Sequence, residues 1–181
     1  MYYYLLSHPK FDDYDLSSLT RSMVVGQTLP AAKSIEWTER VTTPVLELWG
    51  MTELAGAATA NPYYGDNKPG TIGLMYPGSE GKIVSADDPD VELDAGEEGE
   101  LMVRGPLVML GYYGNDEATQ NVMAPGNWMH TGDIATQDED SYFTIVDRKK
   151  DMILTAGYNV YPAELERVIC GHPAVALAAV G

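Results

Sequence analysis

Apolar and polar residues follow different patterns in successive parts of the chain. Residues 22–26 (SMVVG) and 44–49 are short apolar runs, and residues 30–41 between them carry apolar side chains at helical spacing after Pro30. Proline is favoured at the start of a helix, and short apolar runs are typical of buried strands. A strand, a helix and a strand at this spacing predict a parallel α/β unit.

Shorter alternating segments follow from about residue 60. Turn-forming sequences such as KPG and DDPD separate GKIVSAD, GELMVRG and YFTIVDR, a spacing typical of antiparallel strands. Strand alternation in GELMVRG places Leu101 and Val103 on one face and Glu100, Met102 and Arg104 on the other. We therefore expect a small antiparallel, barrel-like sheet with one apolar face.

The last part of the chain again has a helical pattern. Pro162 fits the first position of a helix that Gly171 ends, and the charged run DRKKD (147–151) precedes this part as a natural joint. The expected fold class is mixed α/β: an incomplete parallel α/β layer, a small antiparallel β-barrel-like subdomain and the start of a small α+β C-terminal domain. The expected domains are 1–148, divided into 1–60 and 61–148, and then 149–181.

The amino-acid composition argues against some classes of binding partner. The 27 acidic and 11 basic residues give a formal net charge of −16, which argues against nonspecific nucleic-acid binding and against anionic membranes. The single cysteine excludes an intrachain disulfide framework. No apolar run approaches the roughly 20 residues of a membrane span. These features predict a soluble, cytoplasmic protein with no transmembrane segment.

Residues 49–53 (WGMTE) place a tryptophan, a glycine, a hydroxyl and a carboxylate where an apolar run ends. One interpretation is structural, with Gly50 in a sharp turn, Thr52 as a helix N-cap and Glu53 in the first helical turn. Three further segments have structural interpretations of their own. TGD at 131–133 fits a turn, RKK at 148–150 a solvated charge run, and Gly157 a loop glycine.

Taken together and in this order, these segments resemble the adenylate-forming (AMP-binding) superfamily, which comprises acyl-CoA synthetases, adenylation domains and beetle luciferases. The similarity is strongest to bacterial long-chain fatty-acid–CoA ligases, and it runs from about His8 to the end of the chain. The resemblance implies a two-step reaction. A carboxylate and MgATP give an acyl-adenylate and pyrophosphate, and the thiol of coenzyme A (CoA) then displaces AMP.

The resemblance implies a role for each residue type in WGMTE. Trp49, where the family more often has tyrosine, would stack on adenine, and Gly50 would let the backbone approach the nucleotide. Thr52 would bond the α-phosphate, and Glu53 would hold Mg²⁺, which prefers carboxylate oxygen. The full set of implied ATP or AMP contacts is Gly26, Gln27, Thr28, Trp49, Gly50, Met51, Thr52, Asp133, Ile145 and Arg148.

The resemblance also assigns roles in the second half of the chain. Asp133 would accept hydrogen bonds from both ribose hydroxyls, Arg148 would lie near the ribose and phosphate, and Ile145 would contact the adenine. Strand alternation alone places Ile145 and Asp147 on one face and Arg148 on the other unless the strand ends first. The implied catalytic residues are Thr52, Glu53 and the hinge residue Lys150. The implied CoA contacts are Gly157 and Tyr158.

Two family segments are missing from the sequence: a phosphate-binding loop, expected upstream of His8, and a C-terminal segment with a catalytic lysine. The chain is therefore expected to be part of a longer fatty-acid–CoA ligase and to be inactive in isolation, with its oligomeric state open. One alternative is an adenylation domain or acyl-AMP ligase that loads a carrier protein. Another is a noncatalytic nucleotide-binding remnant.

Overall fold

The computed structural model describes residues 1–155, 158–172, 174–175 and 178–180. The chain divides into two compact units, Met1–Pro77 and Gly78–Gly181. The helices are α1 (Tyr2–Leu6), α2 (Ala31–Val41), α3 (Asp116–Val122) and α4 (Pro162–Cys170). The strands are β1 (Ser22–Val25), β2 (Val45–Met51), β3 (Gly56–Ala60), β4 (Leu74–Met75), β5 (Glu80–Val84), β6 (Gly99–Arg104), β7 (Met123–Ala124), β8 (Trp128–Gln137), β9 (Phe143–Arg148), β10 (Ile153–Thr155) and β11 (Tyr158–Val160).

The first unit contains a four-stranded sheet in the order β1-β2-β3-β4. Strands β1 and β2 are parallel and joined through α2, which confirms the predicted strand, helix and strand. Strand β3 then returns antiparallel to β2, and β4 pairs with β3. Part of the region 61–77, expected in the barrel-like portion, thus completes the first sheet instead.

Helix α2 packs on this sheet and contributes Trp37 and Val41 to the core. Trp37 is buried and donates a hydrogen bond from Nε1 to Ser22 Oγ at 2.8 Å, so that its polar edge is satisfied inside the core. The ring of Tyr2 meets that of Trp37 edge to face at 4.8 Å. The buried cluster comprises Tyr2, Leu6, Phe11, Leu29, Trp37, Val41 and Val45.

The second unit contains a five-stranded antiparallel sheet, in which β5, β6, β8 and β7 are neighbours and β9 also pairs with β8. This sheet confirms the predicted antiparallel, barrel-like portion. The predicted apolar face of β6 is confirmed, because Leu101 and Val103 are fully buried, but Glu100 and Met102 on the opposite face are buried as well. Strand β6 lies in the middle of the sheet and is covered on both sides.

The end of the second unit begins with a two-stranded hairpin of β10 and β11, followed by α4. Pro162 occupies the first turn of α4 and Gly171 follows its last residue, as the sequence predicts. The expected mixed α/β class is confirmed. Within the described part of the chain, no helix combines the length and apolar character that a membrane crossing requires.

Candidate functional site

Two groups of predicted site residues lie at the same edge of the first sheet. Strands β1 and β2 are parallel and in register from Ser22 with Val45 to Val25 with Leu48, so β1 ends near the carboxyl end of β2. Residues 26–28 follow β1, and Trp49 lies at the corresponding level of β2. In open α/β sheets, ligands bind at this carboxyl-terminal edge. The fold therefore brings these two segments together.

The loop after β1 exposes the residues predicted to contact a nucleotide. Gly26 has a φ of +78°, a left-handed conformation that glycine adopts without strain. Gly26, Gln27 and Thr28 are exposed, whereas Leu29 is buried in the core and anchors the loop. The polar groups of residues 26–28 are thus exposed at the sheet edge, in a loop that the buried Leu29 holds in place.

Gly50 is required by the fold for a reason that the sequence did not indicate. A Cβ atom built at Gly50 would lie 1.8 Å from the carbonyl oxygen of Gly56 and 2.6 Å from Cα of Ala57. The register of β2 and β3 shifts between Trp49 and Gly50 at this point. A side chain at Gly50 would therefore collide with the backbone of β3.

Thr52 and Glu53 lie in a three-residue 3₁₀ turn, Thr52–Leu54, that joins β2 to β3. The structural interpretation of Thr52 as an N-cap is wrong, because the residue preceding the turn is Met51 and no side chain caps it. Thr52 is exposed and Glu53 half-buried, whereas Leu54 is fully buried. The buried leucine fixes the turn that carries the hydroxyl and the carboxylate.

The donor set around Glu53 limits the kind of metal ion that fits. No group of three or more His, Cys, Asp or Glu side chains that could hold a metal ion occurs among the residues the structure describes. With fewer than three such side chains together among the described residues, Glu53 does not belong to an all-protein metal cage. It does suit Mg²⁺, which usually binds one or two carboxylates together with substrate phosphates and waters.

A buried carboxylate in β2 supports the same sheet edge and was missed by the sequence interpretation. Glu47 is 2% exposed, and its carboxylate accepts hydrogen bonds from the backbone N–H groups of Gly70 at 2.9 Å and Leu29 at 3.4 Å. Burial raises the pKa of Glu47, and these two hydrogen bonds partly offset the rise. Glu47 thereby ties the loop after β1 to the turn at Gly70. The sequence signal was a charged residue inside an apolar strand.

Asp133 and Arg148 form an ion pair in the second unit. They are direct partners across β8 and β9, and Arg148 Nε lies 2.8 Å from Asp133 Oδ1. The Asp133 side chain is buried, whereas that of Arg148 is 52% exposed. The two residues that the resemblance assigns to ribose and phosphate contacts are thus brought together by strand register.

A β-bulge in β9 changes the predicted orientation of its residues. Ile145 pairs with Ala135 and Asp147 pairs with Ile134, so Val146 is an extra residue without a partner in the ladder. The register places Ile145 and Arg148 opposite Ala135 and Asp133, which share one face of β8. The expectation that Ile145 and Asp147 share a face is therefore wrong.

A second buried carboxylate, Glu100 in β6, contacts three residues from neighbouring segments and was also missed from the sequence. Its Oε2 lies 2.8 Å from Lys149 Nζ and 3.2 Å from His130 Nδ1, and its Oε1 accepts the backbone N–H of Gly132 at 3.2 Å. Gly132 has a φ of +72° at a register shift between β6 and β8, where the ladder is interrupted. As at Glu47, the signal was a carboxylate inside an apolar strand.

The predicted hinge follows directly after β9. Lys149, Lys150 and Asp151 form a 3₁₀ turn, and the Lys150 side chain is exposed, with no ion pair to any of the residues described. Asp147 Oδ2, before this turn, accepts the backbone N–H of Ala163 in the first turn of α4 at 2.9 Å. This contact joins the segments on the two sides of Lys150.

Of the two predicted CoA contacts, Gly157 lies outside the described residues. Tyr158 begins β11, and its backbone pairs with Thr155 of β10. Both assignments remain predictions.

The sequence and the fold are similar to those of known proteins. The profile of the family described as "AMP-binding enzyme" matches residues 1–113. The long-chain-fatty-acid–CoA ligase of Escherichia coli O157:H7 is 46% identical over 178 residues, which is 98% of this chain and 31% of the relative. The chain therefore spans about a third of the length of this curated relative.

Two solved structures share the fold over 99% of this chain. ATP-bound MatB from Rhodopseudomonas palustris superposes with a TM-score of 0.88 at 34% identity, and the match covers 35% of that chain. The anthranilate CoA ligase AuaEII in complex with anthranoyl-AMP gives a TM-score of 0.85 at 32% identity and is covered to 34%.

Proposed function

The chain belongs to the family of AMP-binding enzymes, and we propose that it forms part of a ligase that joins a fatty acid to CoA at the expense of ATP. The observation that carries this proposal is the Asp133–Arg148 pair, because strand register brings together two residues that the resemblance assigns to contacts with one nucleotide. The similarity to a fatty-acid–CoA ligase over nearly all of this chain supports the acyl substrate. We place the enzyme in the cytoplasm as part of the same proposal.

The proposed reaction has two steps. A carboxylate oxygen of the fatty acid attacks the α-phosphorus of ATP, the bond from that phosphorus to the bridging oxygen breaks, and pyrophosphate leaves. The sulfur of CoA then attacks the acyl carbonyl carbon, the bond to the AMP oxygen breaks, and the thiol proton is lost. Both steps depend chiefly on positioning the reactants and balancing their charge.

In the second unit, Asp133 would accept hydrogen bonds from the ribose hydroxyls. Its carboxylate is buried and already oriented by Arg148, so little side-chain entropy is lost on binding. Arg148 has further N–H donors beyond the one facing Asp133, and its exposed guanidinium would bind an anionic oxygen of the nucleotide. Ile145, on the same face by register, would supply the nonpolar contact beside the adenine.

In the first unit, the sheet edge would bind the base and the phosphates. Trp49 would stack on the adenine, a contact worth roughly 1–3 kcal/mol for bases on aromatic side chains. The backbone of Gly50 and Met51 and the exposed residues 26–28 would line the nucleotide. Thr52 would donate to an α-phosphate oxygen, and Glu53 would hold Mg²⁺, which adds positive charge at the phosphates when bound.

Between the two steps, we propose that the segment after Lys150 rotates. Lys150 is exposed and lies between β9 and the β10–β11 hairpin, a position that suits a hinge. Gly157 and Tyr158 would then border the path of the CoA thiol. Lysine itself needs no chemical role at such a position.

A chimaeric enzyme tests the proposal. These 181 residues would replace the matching segment of the Escherichia coli O157:H7 ligase, and fatty-acid-dependent exchange of pyrophosphate into ATP would be measured. We expect the chimaera to be active and the 181-residue chain alone to stay at the level of a no-enzyme blank. A folded but inactive chimaera would contradict the proposal and favour a noncatalytic nucleotide-binding role.

The acyl acceptor is tested in the same chimaera. Preformed acyl-adenylate would be offered with CoA or with a phosphopantetheinyl carrier protein, and thioester formation would be followed. We expect CoA to be the acceptor. Transfer to the carrier protein alone would assign the chain to the acyl-AMP ligases or adenylation domains instead.

A further inference from the structure

Glu100 contacts two segments that have different roles in the proposed function: the segment of Asp133, proposed to bind the ribose, and the segment of Lys150, proposed to be the hinge. One of its oxygens receives the N–H of Gly132, the residue before Asp133, and the other receives Lys149 Nζ, one residue before Lys150. The Glu100 side chain is 3% exposed, so its carboxylate depends on protein donors in place of water. The two adjacent lysines differ in their contacts: Lys149, whose side chain is 40% exposed, is ion-paired with Glu100, whereas Lys150 is exposed and forms no ion pair with the residues described.

The local backbone explains why a carboxylate lies at this position. The register shift between β6 and β8 leaves the N–H of Gly132 outside the regular ladder, and Glu100 Oε1 accepts it. The hydroxyl of Thr131 donates to the carbonyl of Leu101 at 2.7 Å and accepts the N–H of Asp133 at 3.1 Å. These bonds fix the bulge from which the Asp133 side chain projects.

We infer that Glu100 is a positioning residue that holds Asp133 in place and anchors Lys149, so that rotation begins at Lys150. The hinge and ribose roles in this inference rest on the proposed function. The contact between Lys149 and Glu100 does not depend on it. A hinge needs a fixed residue on at least one side, because otherwise the backbone change spreads over several residues. The charge-assisted bond from Lys149 to a buried carboxylate supplies that fixed point.

Limited trypsin digestion measures how firmly the Lys149 side chain is held by Glu100, both in the 181-residue chain and in the chimaera. Trypsin must bind the lysine side chain that precedes the cleaved bond, so cleavage after Lys149 requires this side chain to leave Glu100. Cleavage after Lys150 does not. Mass spectrometry would give the rates of cleavage after Lys149 and after Lys150. Their ratio would be divided by the same ratio measured for a synthetic peptide of residues 143–155.

In Glu100→Gln, we expect cleavage after Lys149 to rise about tenfold relative to cleavage after Lys150, the effect of losing one charge-assisted hydrogen bond. The absolute rate after Lys150 should stay unchanged. The matched control is Glu80→Gln, which breaks the exposed Glu80–Arg104 pair at the other end of β6 and should leave the ratio as it was. Equal acceleration at both bonds, or no change in the ratio, would overturn the inference.

Measuring the two half-reactions of the chimaera separately distinguishes loss of the Lys149 anchor, which should affect the second step, from general destabilisation, which should affect both. Lys149→Met should slow CoA-dependent consumption of acyl-adenylate about tenfold while pyrophosphate exchange stays within about twofold, and Lys149→Arg should restore the second step. Equal loss in both steps, or failure of arginine to rescue, would overturn the anchor role. If the parent chimaera is inactive, the proposed function fails, and the trypsin ratio alone decides the anchor.

Discussion

Arg148 Nε lies 2.8 Å from Asp133 Oδ1, and the two residues are direct partners across the antiparallel strands β8 and β9. Because the strand register sets their separation, the pair needs no loop to assemble it. The partly exposed guanidinium of Arg148 places a positive charge beside the buried carboxylate of Asp133. A bound ribose would thus meet an acceptor whose orientation is already fixed.

Asp133→Ala in the chimaera is expected to raise the KM for ATP about a hundredfold. The loss of two charge-assisted hydrogen bonds to the ribose hydroxyls is worth roughly 3 kcal/mol. Initial rates of pyrophosphate exchange at varied ATP give this value.

The control is Glu139→Ala, in the exposed turn of the same hairpin, and its KM for ATP should match that of the parent. An unchanged KM in a folded Asp133→Ala chimaera would remove Asp133 from ribose recognition. A fall in maximal rate alone would assign it a different role.

Several main elements of the fold could be predicted from periodicity, but the bulges could not. Strands β1 and β2, helix α2 and helix α4 lie where the apolar spacing and the positions of proline and glycine placed them. Because Val146 is an extra residue in β9, Asp147 lies on the opposite face from Ile145. Simple alternation, which assumes an unbroken ladder, places them on the same face. Local sequence carries no signal for this interruption.

Tertiary contacts explain what else the sequence interpretation missed. The sequence interpretation placed Glu100 on one face of an alternating strand and left Glu47 within a short apolar run, yet both are buried with protein donors around them. Their donors come from residues 18 to 49 positions away. A charged residue inside an apolar strand marks such a site, but only the fold identifies its partners.

Gly50→Ala is expected to destabilise the first unit by about 3 kcal/mol or more, because the added methyl would overlap the backbone of Gly56, and backbone yields less readily than side chains. Thermal or urea unfolding of the 181-residue chain, followed by tryptophan fluorescence, measures the change.

Gly26→Ala is the comparison for backbone strain alone. Its Cβ would have nothing within 4 Å, and its φ of +78° would cost about 1–2 kcal/mol. If the two variants were equally stable, close approach of β3 would not be the reason for glycine at position 50.

Glu47→Gln is expected to flatten the pH dependence of unfolding. The folded-state pKa of Glu47 is raised by burial, so the folded chain binds this proton more tightly than the unfolded chain does. The contribution of Glu47 to stability is therefore greatest below its ordinary pKa and falls as pH rises through the raised value. The slope in that window is at most about 1.4 kcal/mol per pH unit.

The measurement is the free energy of unfolding from pH 4 to pH 8 for the parent, for Glu47→Gln and for Glu39→Gln. Glu39 is exposed on α2 and serves as the control for net charge. The difference between parent and Glu47→Gln should change with pH, and the difference for Glu39→Gln should vary less. Parallel curves for Glu47→Gln and Glu39→Gln would show that the buried carboxylate is not coupled to folding.

Lys150→Pro is expected to separate the two half-reactions in the chimaera. Proline fixes φ near −65°, removes a donor and restricts the residue before it, so the backbone at 150 could no longer absorb a rotation. Pyrophosphate exchange should survive largely, because the proposed rotation follows adenylation. CoA-dependent consumption of preformed acyl-adenylate should collapse.

Lys150→Ala is the matched control, because it removes the ammonium group and keeps a flexible backbone. Since the Lys150 side chain is exposed and forms no ion pair with the residues described, both half-reactions should be retained in this variant. Loss of the second step in both variants would assign the ammonium group a direct role and contradict a pure hinge. If both variants kept both steps, rotation would not depend on residue 150, and Asp147, which contacts Ala163 across this turn, would be the next position at which to look for the pivot.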